Sequence, residues 1–521
     1  MVAEQLERTP ARPRPPRRRA HGRRARGPRP PHRRPARPAR PPGAVRPGRR
    51  PFPGRPSPAA LPGPAPAPGP DPLTALRART PATSLAYGAP ESEPTRERYG
   101  SMSTSAPTAG PQELRRHLGV FDAVVVGLGS MIGAGIFAAL APAAAAAGSG
   151  LLIGLALAGV VAYCNATSSA RLAARYPQSG GTYVYGRERL GGFWGYLAGW
   201  GFVVGKTASC AAMALTVGSY VWPAQAHAVA VAAVVALTAV NYVGVQKAAW
   251  LTRAIVAVVL AVLAAVVTAC LTGGADTGRW AVGADAGLHG VLQAAGLLFF
   301  AFAGYARIAT LGEEVRDPRR TIPRAIPLAL GITLVVYAAV ALAALSVLGP
   351  EGLAHTGAPL ADAVRAAGVP GLAPVVRVGA AVAALGSLLA LILGVSRTTL
   401  AMARDRHLPH RLAAVHPRFA VPHRAEVAVG AVVAALAAVA DVRGAIGFSS
   451  FGVLAYYAVA NASAWTLTPA EGRPPRIVPI VGTVGCLALA FALPAASVLW
   501  GAVVIALGAA AYGLRKALAR A

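Results

Sequence analysis

Three features place chemically useful groups inside long apolar runs of this chain. The first is Gly127-Leu128-Gly129-Ser130-Met131-Ile132-Gly133-Ala134-Gly135-Ile136-Phe137. Each glycine weakens a helix interior by about 1 kcal/mol relative to alanine. A backbone opened there must line a cavity, because lipid satisfies no peptide group. Its freed N–H groups, with the dipole of the half-helix that follows, suit a carboxylate. The competing reading is a seam of small residues for close helix packing. The second feature is Phe299-Phe300-Ala301-Phe302-Ala303-Gly304-Tyr305-Ala306-Arg307, where a break would free carbonyls that accept from an ammonium group. One break suits a carboxylate and the other an amine, so together they describe an α-amino acid. The expected binding residues are Ser130, Ile132, Gly133, Ala134 and Gly135 at the first break, and Phe302, Ala303, Gly304 and Tyr305 at the second.

The third feature is charge at depth. Lys206 lies 13 residues beyond Phe193 in an apolar run, about 20 Å along a helix at 1.5 Å per residue. An ionisable group there costs several kcal/mol unless paired or neutral, which makes it a functional candidate by default. A desolvated lysine loses basicity and can carry a coupling proton; the other reading is a permanent charge bound to carbonyls. Arg307 stays protonated, so its role is electrostatic. Glu313 and Glu314 read either as a gate or as charges among neighbouring arginines. Asn165, Asn241 and Asn461 are expected to hydrogen-bond between helices.

Several chemistries are excluded. Val124-Val125-Val126-Gly127-Leu128-Gly129 resembles the entry to a dinucleotide fold, but Gly133 is one residue out of step and no Asp or Glu follows about 20 residues on. Cys164, Cys210, Cys270 and Cys486 have no zinc or disulfide spacing and read as small apolar filler. No motif calls for a cofactor, and none for nucleic acid. A membrane enzyme would need clustered His, Asp or Glu within the apolar runs, and a channel would need a filter repeated by symmetry.

The elements that position these groups follow from composition. Hydrophobic residues make up 54% of the 521 and charged residues only 14%, against about 25% charged in soluble domains. Lipid is therefore the expected solvent. A span needs about 20 mostly apolar residues. The runs fall near 120–143, 149–170, 193–219, 226–245, 251–272, 289–312, 325–348, 374–403, 424–440, 445–467, 477–494 and 496–514, making twelve, with the last two divided near Pro494. Basic residues alternate between the connections. One set holds Arg171, Arg175, Arg187 and Arg189, then Lys247 and Arg253, then Arg316, Arg319, Arg320 and Arg324. It continues with Arg404, Arg406, Arg411, Arg418 and Arg424, then Arg473 and Arg476, and ends with Arg515, Lys516 and Arg520. The other set offers Arg279, Arg365 and Arg443. The positive-inside rule puts the first set and both termini in the cytoplasm. Before Met102 the chain holds 22 Arg against 6 acidic residues. Such a Pro- and Arg-rich stretch cannot bury a core. Residues 1–111 are expected to be a disordered tail, with Met102 the better start, and 112–521 the membrane domain.

These residues resemble the amino acid–polyamine–organocation permeases over roughly residues 112–515. Ser130-Met131-Ile132-Gly133-Ala134-Gly135-Ile136-Phe137 is similar to the family's first-helix signature, and Tyr176-Pro177-Gln178-Ser179-Gly180-Gly181-Thr182-Tyr183 to its loop after the second helix. Phe299-Phe300-Ala301-Phe302, and Glu313-Glu314-Val315-Arg316-Asp317-Pro318-Arg319-Arg320-Thr321-Ile322-Pro323, resemble its sixth helix and the following loop. Ser396-Arg397, Ala401-Met402-Ala403-Arg404-Asp405 and Leu408-Pro409 resemble the end of its eighth. The resemblance implies an all-α membrane protein of two inverted five-helix repeats plus two C-terminal helices. It also implies substrate held at the broken first and sixth helices and alternating access at the plasma membrane. The expected partners are a small amino acid, the lipid bilayer and a coupling proton; exchange, polyamine transport and a transporter-like sensor are the alternatives. Some proton-coupled members carry a lysine in the fifth helix, where this chain has Leu260.

Overall fold

The computed structural model describes residues 118–518, apart from 179, 245–248, 282, 284–285 and 310–314. The tail over 1–111, Lys247, Glu313, Glu314 and Arg520 lie outside the described residues. The first apolar run forms three helices: α1 (Val120–Met131), α2 (Ala134–Ala138) and α3 (Leu140–Ala147). α1 stops where Ile132 (φ −80°, ψ 66°) and Gly133 (φ −121°, ψ −138°) leave helical geometry. The α2–α3 join falls where Pro142 lacks the N–H that would reach the Ala138 carbonyl. Next come α4 (Leu151–Arg175), α5 (Thr182–Leu190), α6 (Gly192–Val221), α7 (Ala226–Tyr242) and α8 (Ala249–Thr272). The sixth run also breaks: α9 (Leu288–Phe302) passes through a 3-10 turn, Ala303–Tyr305, into α10 (Ala306–Ala309). There follow α11 (Pro318–Ala354), α12 (Pro359–Ala366), α13 (Ala373–Arg404), α14 (His423–Val439), α15 (Val442–Trp465), α16 (Ile477–Ala492) and α17 (Ala495–Leu518). The last two part around Pro494.

Among the described residues every named element is helical, and ten helical stretches are long and apolar enough to cross a membrane. α16 is apolar but has 16 residues. α14 has 17, with His423, Arg424 and Glu426 in its opening turns. Large apolar side chains face outward along these helices. Val335, Val378, Phe491 and Trp500 are all more than half exposed, which a protein surrounded by water rarely tolerates over so wide an area. α6 is the most enclosed long helix, packed against α13 and α15, whereas α7 and α17 face mostly outward. Polar side chains tie the bundle internally. Asn461 Nδ2 donates to Asn165 Oδ1 at 2.6 Å, joining α15 to α4, and Asn241 Nδ2 donates to the Leu389 carbonyl at 3.2 Å, joining α7 to α13.

The connections meet in two groups. Arg175 and Arg189 both pair with Glu471, Arg187 pairs with Asp405, and Arg253 pairs with Asp122. Arg316 N–H donates to the Leu118 carbonyl at 2.9 Å. In the other group Arg279 donates to the Val347 carbonyl at 2.7 Å, Gly283 N–H donates to Ser149 Oγ at 3.0 Å, and Arg443 reaches Gln293. These contacts respect the alternation of basic and less basic connections read from the sequence.

Candidate functional site

The two breaks lie against each other, and glycine makes that possible. A Cβ on Gly304 would stand 2.2 Å from the Ser130 carbonyl oxygen, and one on Gly133 would stand 2.0 Å from Ser387 Oγ. No larger residue fits either place without moving a neighbour. Gly127 and Gly129 behave differently: they remain inside α1 and let Ile308 and Val256 approach. The opening is therefore narrower than the glycine-rich stretch, and the packing-seam reading explains the rest of it.

Interrupting a helix orphans carbonyls that need donors. Tyr337 Oη, from α11, lies 2.5 Å from the Met131 carbonyl and 3.1 Å from the Ala301 carbonyl, so the single proton of one phenol is shared between both broken helices. Ser387 Oγ donates to Gly129 O at 3.2 Å. Lys206 Nζ, from α6, donates to Ala303 O at 3.3 Å. Lys206 is only 6% exposed, so its ammonium sits among packed helices and is partnered by the opened turn of the sixth run.

A cavity of about 170 Å³ adjoins this junction. Ser130, Ala303, Gly304 and Arg307 line it from the broken helices. Phe202, Lys206, Ser209 and Met213 line it from α6. Ser387, Leu391, Gly394, Arg397, Thr398 and Ala401 form the α13 wall. Of the residues expected from sequence, Ser130, Ala303, Gly304, Lys206 and Arg307 come together here. Ile132, Gly133, Ala134, Gly135, Phe302 and Tyr305 do not line the cavity; they are buried in the packing around it. Gly135 lies against Ala301, Phe302 against Tyr337 and Tyr305 against Tyr457.

The α13 wall was not foreseen as a site. Its residues recur three or four apart and share one helical face, as do the four from α6. That periodicity, with Ser387, Arg397 and Thr398 interrupting an apolar run, was the available signal.

A separate ionic cluster closes the basic end of the bundle. Tyr183 Oη donates to Asp405 and lies 2.9 Å from His407 Nδ1, while Arg187 reaches Asp405 at 3.1 Å. Burial raises the Tyr183 phenol above its usual range, with Asp405 adding to the shift. Burial lowers His407, against the pull of Asp405. Glu471, bonded to the Thr468 N–H and to Arg189, is pulled down to about 2. These groups join connections to one another and do not line the cavity.

The arrangement can hold a small zwitterion: carbonyls and hydroxyls at the breaks, a buried ammonium, two guanidinium groups and apolar side walls. Comparison with known proteins places the chain among permeases and transporters. A family model described as "Amino acid permease" matches residues 122–472. An uncharacterized transporter of Mycobacterium tuberculosis is 77% identical over 411 residues, covering 79% of this chain and 93% of the relative. The methylthioribose transporter of Bacillus subtilis is 29% identical over 79% of this chain and 96% of its own length. The branched-chain amino acid permease of the same organism is 26% identical over 74% of this chain and 89% of its own. With its broken helices, its apolar exterior and this match over most of its helical region, the chain belongs to the amino acid permease family.

Proposed function

We propose that the chain is a secondary transporter that moves amino acids by alternating access, with substrate held beside the junction of the two broken helices. The observation that carries this reading is the contact between the breaks at the cavity wall, where Gly304 meets the Ser130 carbonyl. Interrupted helices at corresponding places in two halves are the sequence mark of a transporter site.

Twelve spans follow from this reading, as two inverted sets of five plus α16 and α17. Two further features support the inversion. The short helices α5 and α12 follow the second and seventh spans, matching places in the two halves. α5 belongs to the basic end through Arg187, whereas α12 meets Tyr220 at the other end of α6. The basic end is cytoplasmic by the positive-inside rule, which puts both termini inside the cell; the plasma membrane is the location proposed with this reading. The cavity walls run from Ser130 toward Arg397 and Ala401, near that end of α13, so this conformation faces inward. Lys206 is the proposed proton carrier: it is buried, reaches the opened turn, and stands in for the lysine that α8 lacks at Leu260.

The test is uptake by the full chain reconstituted in liposomes. Labelled amino acids should accumulate under an inward proton gradient, and their decarboxylated amines should compete poorly. Strong competition by simple amines would instead mark a polyamine or cation carrier, and no uptake of any amino acid would overturn the transport reading.

A further inference from the structure

A second recess lies at the basic end of the bundle, apart from the cavity between the broken helices. Its volume is about 590 Å³, and Arg406, His407, Leu408, Pro409, His410 and Arg515 line it. No Asp or Glu lines it among the described residues. Asp405, next to Arg406 in sequence, pairs instead with Arg187 and accepts from Tyr183. Tyr183 Oη gives its proton to Asp405, so it accepts from His407 Nδ1 at 2.9 Å, which holds that imidazole in place.

The position of Arg515 around α17 relates this recess to the outer surface. Tyr512, three residues earlier, packs inward on Phe193 and Tyr196, with ring centroids 5.5 and 5.1 Å apart. Leu518, three residues later, is 68% exposed. Three residues turn a helix through about 300°, so Arg515 stands about 60° from each, on the border between the packed and outward faces. On the outward face Trp500, Leu507 and Leu514 are 61%, 61% and 64% exposed, and Leu518 extends their stripe. The stripe runs about 27 Å along the helix at 1.5 Å per residue, longer than the ~15 Å of hydrocarbon in one leaflet. Recess and stripe meet at Arg515.

We propose that this recess binds the phosphate of an anionic phospholipid headgroup, with an acyl chain lying along the α17 stripe. Forked guanidinium donors match phosphate oxygens. Anionic lipids are held in the cytoplasmic leaflet, and basic pockets at the ends of spanning helices suit their headgroups. A soluble phosphate would use the arginines alone, whereas a lipid uses the arginines and the stripe together. The inference needs the basic end to lie at a membrane face, but it is independent of what the chain transports.

The experiment measures binding of labelled phosphatidylglycerol and phosphatidylcholine, supplied in equal amounts in mixed micelles, to the immobilised full chain. The expected result is a preference for phosphatidylglycerol of at least about tenfold. Arg406→Gln combined with Arg515→Gln should cut that preference about tenfold. Arg319→Gln combined with Arg424→Gln, which alters exposed arginines of the same end outside the recess, should leave it within about twofold. The ratio of the two lipids in one sample cancels differences in folded protein. Inorganic phosphate should displace the lipid no better than chloride at equal ionic strength. Equal binding of the two lipids, or an equal loss of preference in both double variants, would reduce the recess to general positive charge and overturn the inference. Displacement by phosphate well beyond chloride would mark a site for a soluble anion and overturn the lipid assignment.

Discussion

Lys206 shows how far a single residue can be read. Its type and depth marked it in the sequence, because an ammonium near mid-bilayer is too costly to be incidental. Its partner was not legible: Ala303 is 97 positions away, and only the fold brings its carbonyl to 3.3 Å. Removing a charged donor and leaving a buried carbonyl bare costs about 1–3 kcal/mol. Lys206→Ala should therefore lower the detergent melting temperature. If Lys206 carries the coupling proton, the same variant should also lose gradient-driven accumulation by about tenfold or more while retaining exchange of internal for external substrate. Loss of exchange and accumulation together would make it a structural charge, and unchanged accumulation would remove it from both roles. The glycines teach a related lesson. Gly133 marks a true interruption, but Gly127 and Gly129 stay helical because Ile308 and Val256 need the space. Composition alone cannot separate an opened backbone from a close approach, since both require a missing side chain.

At the scale of elements, the apolar runs were legible because a span has a length and a hydropathy that few other structures share. A helix lies in each of them, although α14 and α16 are short of the length that marks the other ten. The α13 face of the cavity was harder to see. Ser387, Arg397 and Thr398 become a wall only when α13 is rotated toward α6, and rotation is set by packing. The clamp at the basic end is likewise a product of the fold. Glu471 joins the turn after α15 to Arg175 at the end of α4 and to Arg189 in α5. Its pKa is depressed from the usual 4.5 to about 2. The contribution of such a group to stability is present above the unfolded-state value and is lost as pH falls through the folded-state value. Glu471→Gln should therefore lower the melting temperature by a similar amount at pH 7 and at pH 5. A difference that disappears at pH 5 would show that the carboxylate is not held ionised by these partners. It follows that pH dependence of uptake between 5 and 7 must arise elsewhere than in this clamp.

On the scale of the whole molecule, the alternation of basic connections divided the loops into two sets, and the contacts found between described connections fall within those sets. The charge pattern works because charged loops cross a bilayer poorly, so it records topology directly. The cavity position was partly legible, since two interrupted helices pointed to it, but the convergence of Arg307, Arg397 and Lys206 on its wall emerges only in the fold. The central claim is that substrate sits at the junction of the two breaks. The most direct test uses Ser130→Cys, which puts a thiol on the cavity wall of a chain whose four native cysteines are all buried. The rate of its modification by a small maleimide should fall at least about tenfold when a transported amino acid is saturating, and the corresponding decarboxylated amine should give no protection. A labelling rate unchanged by saturating substrate, in protein that still transports it, would place the binding site away from this junction and contradict the account.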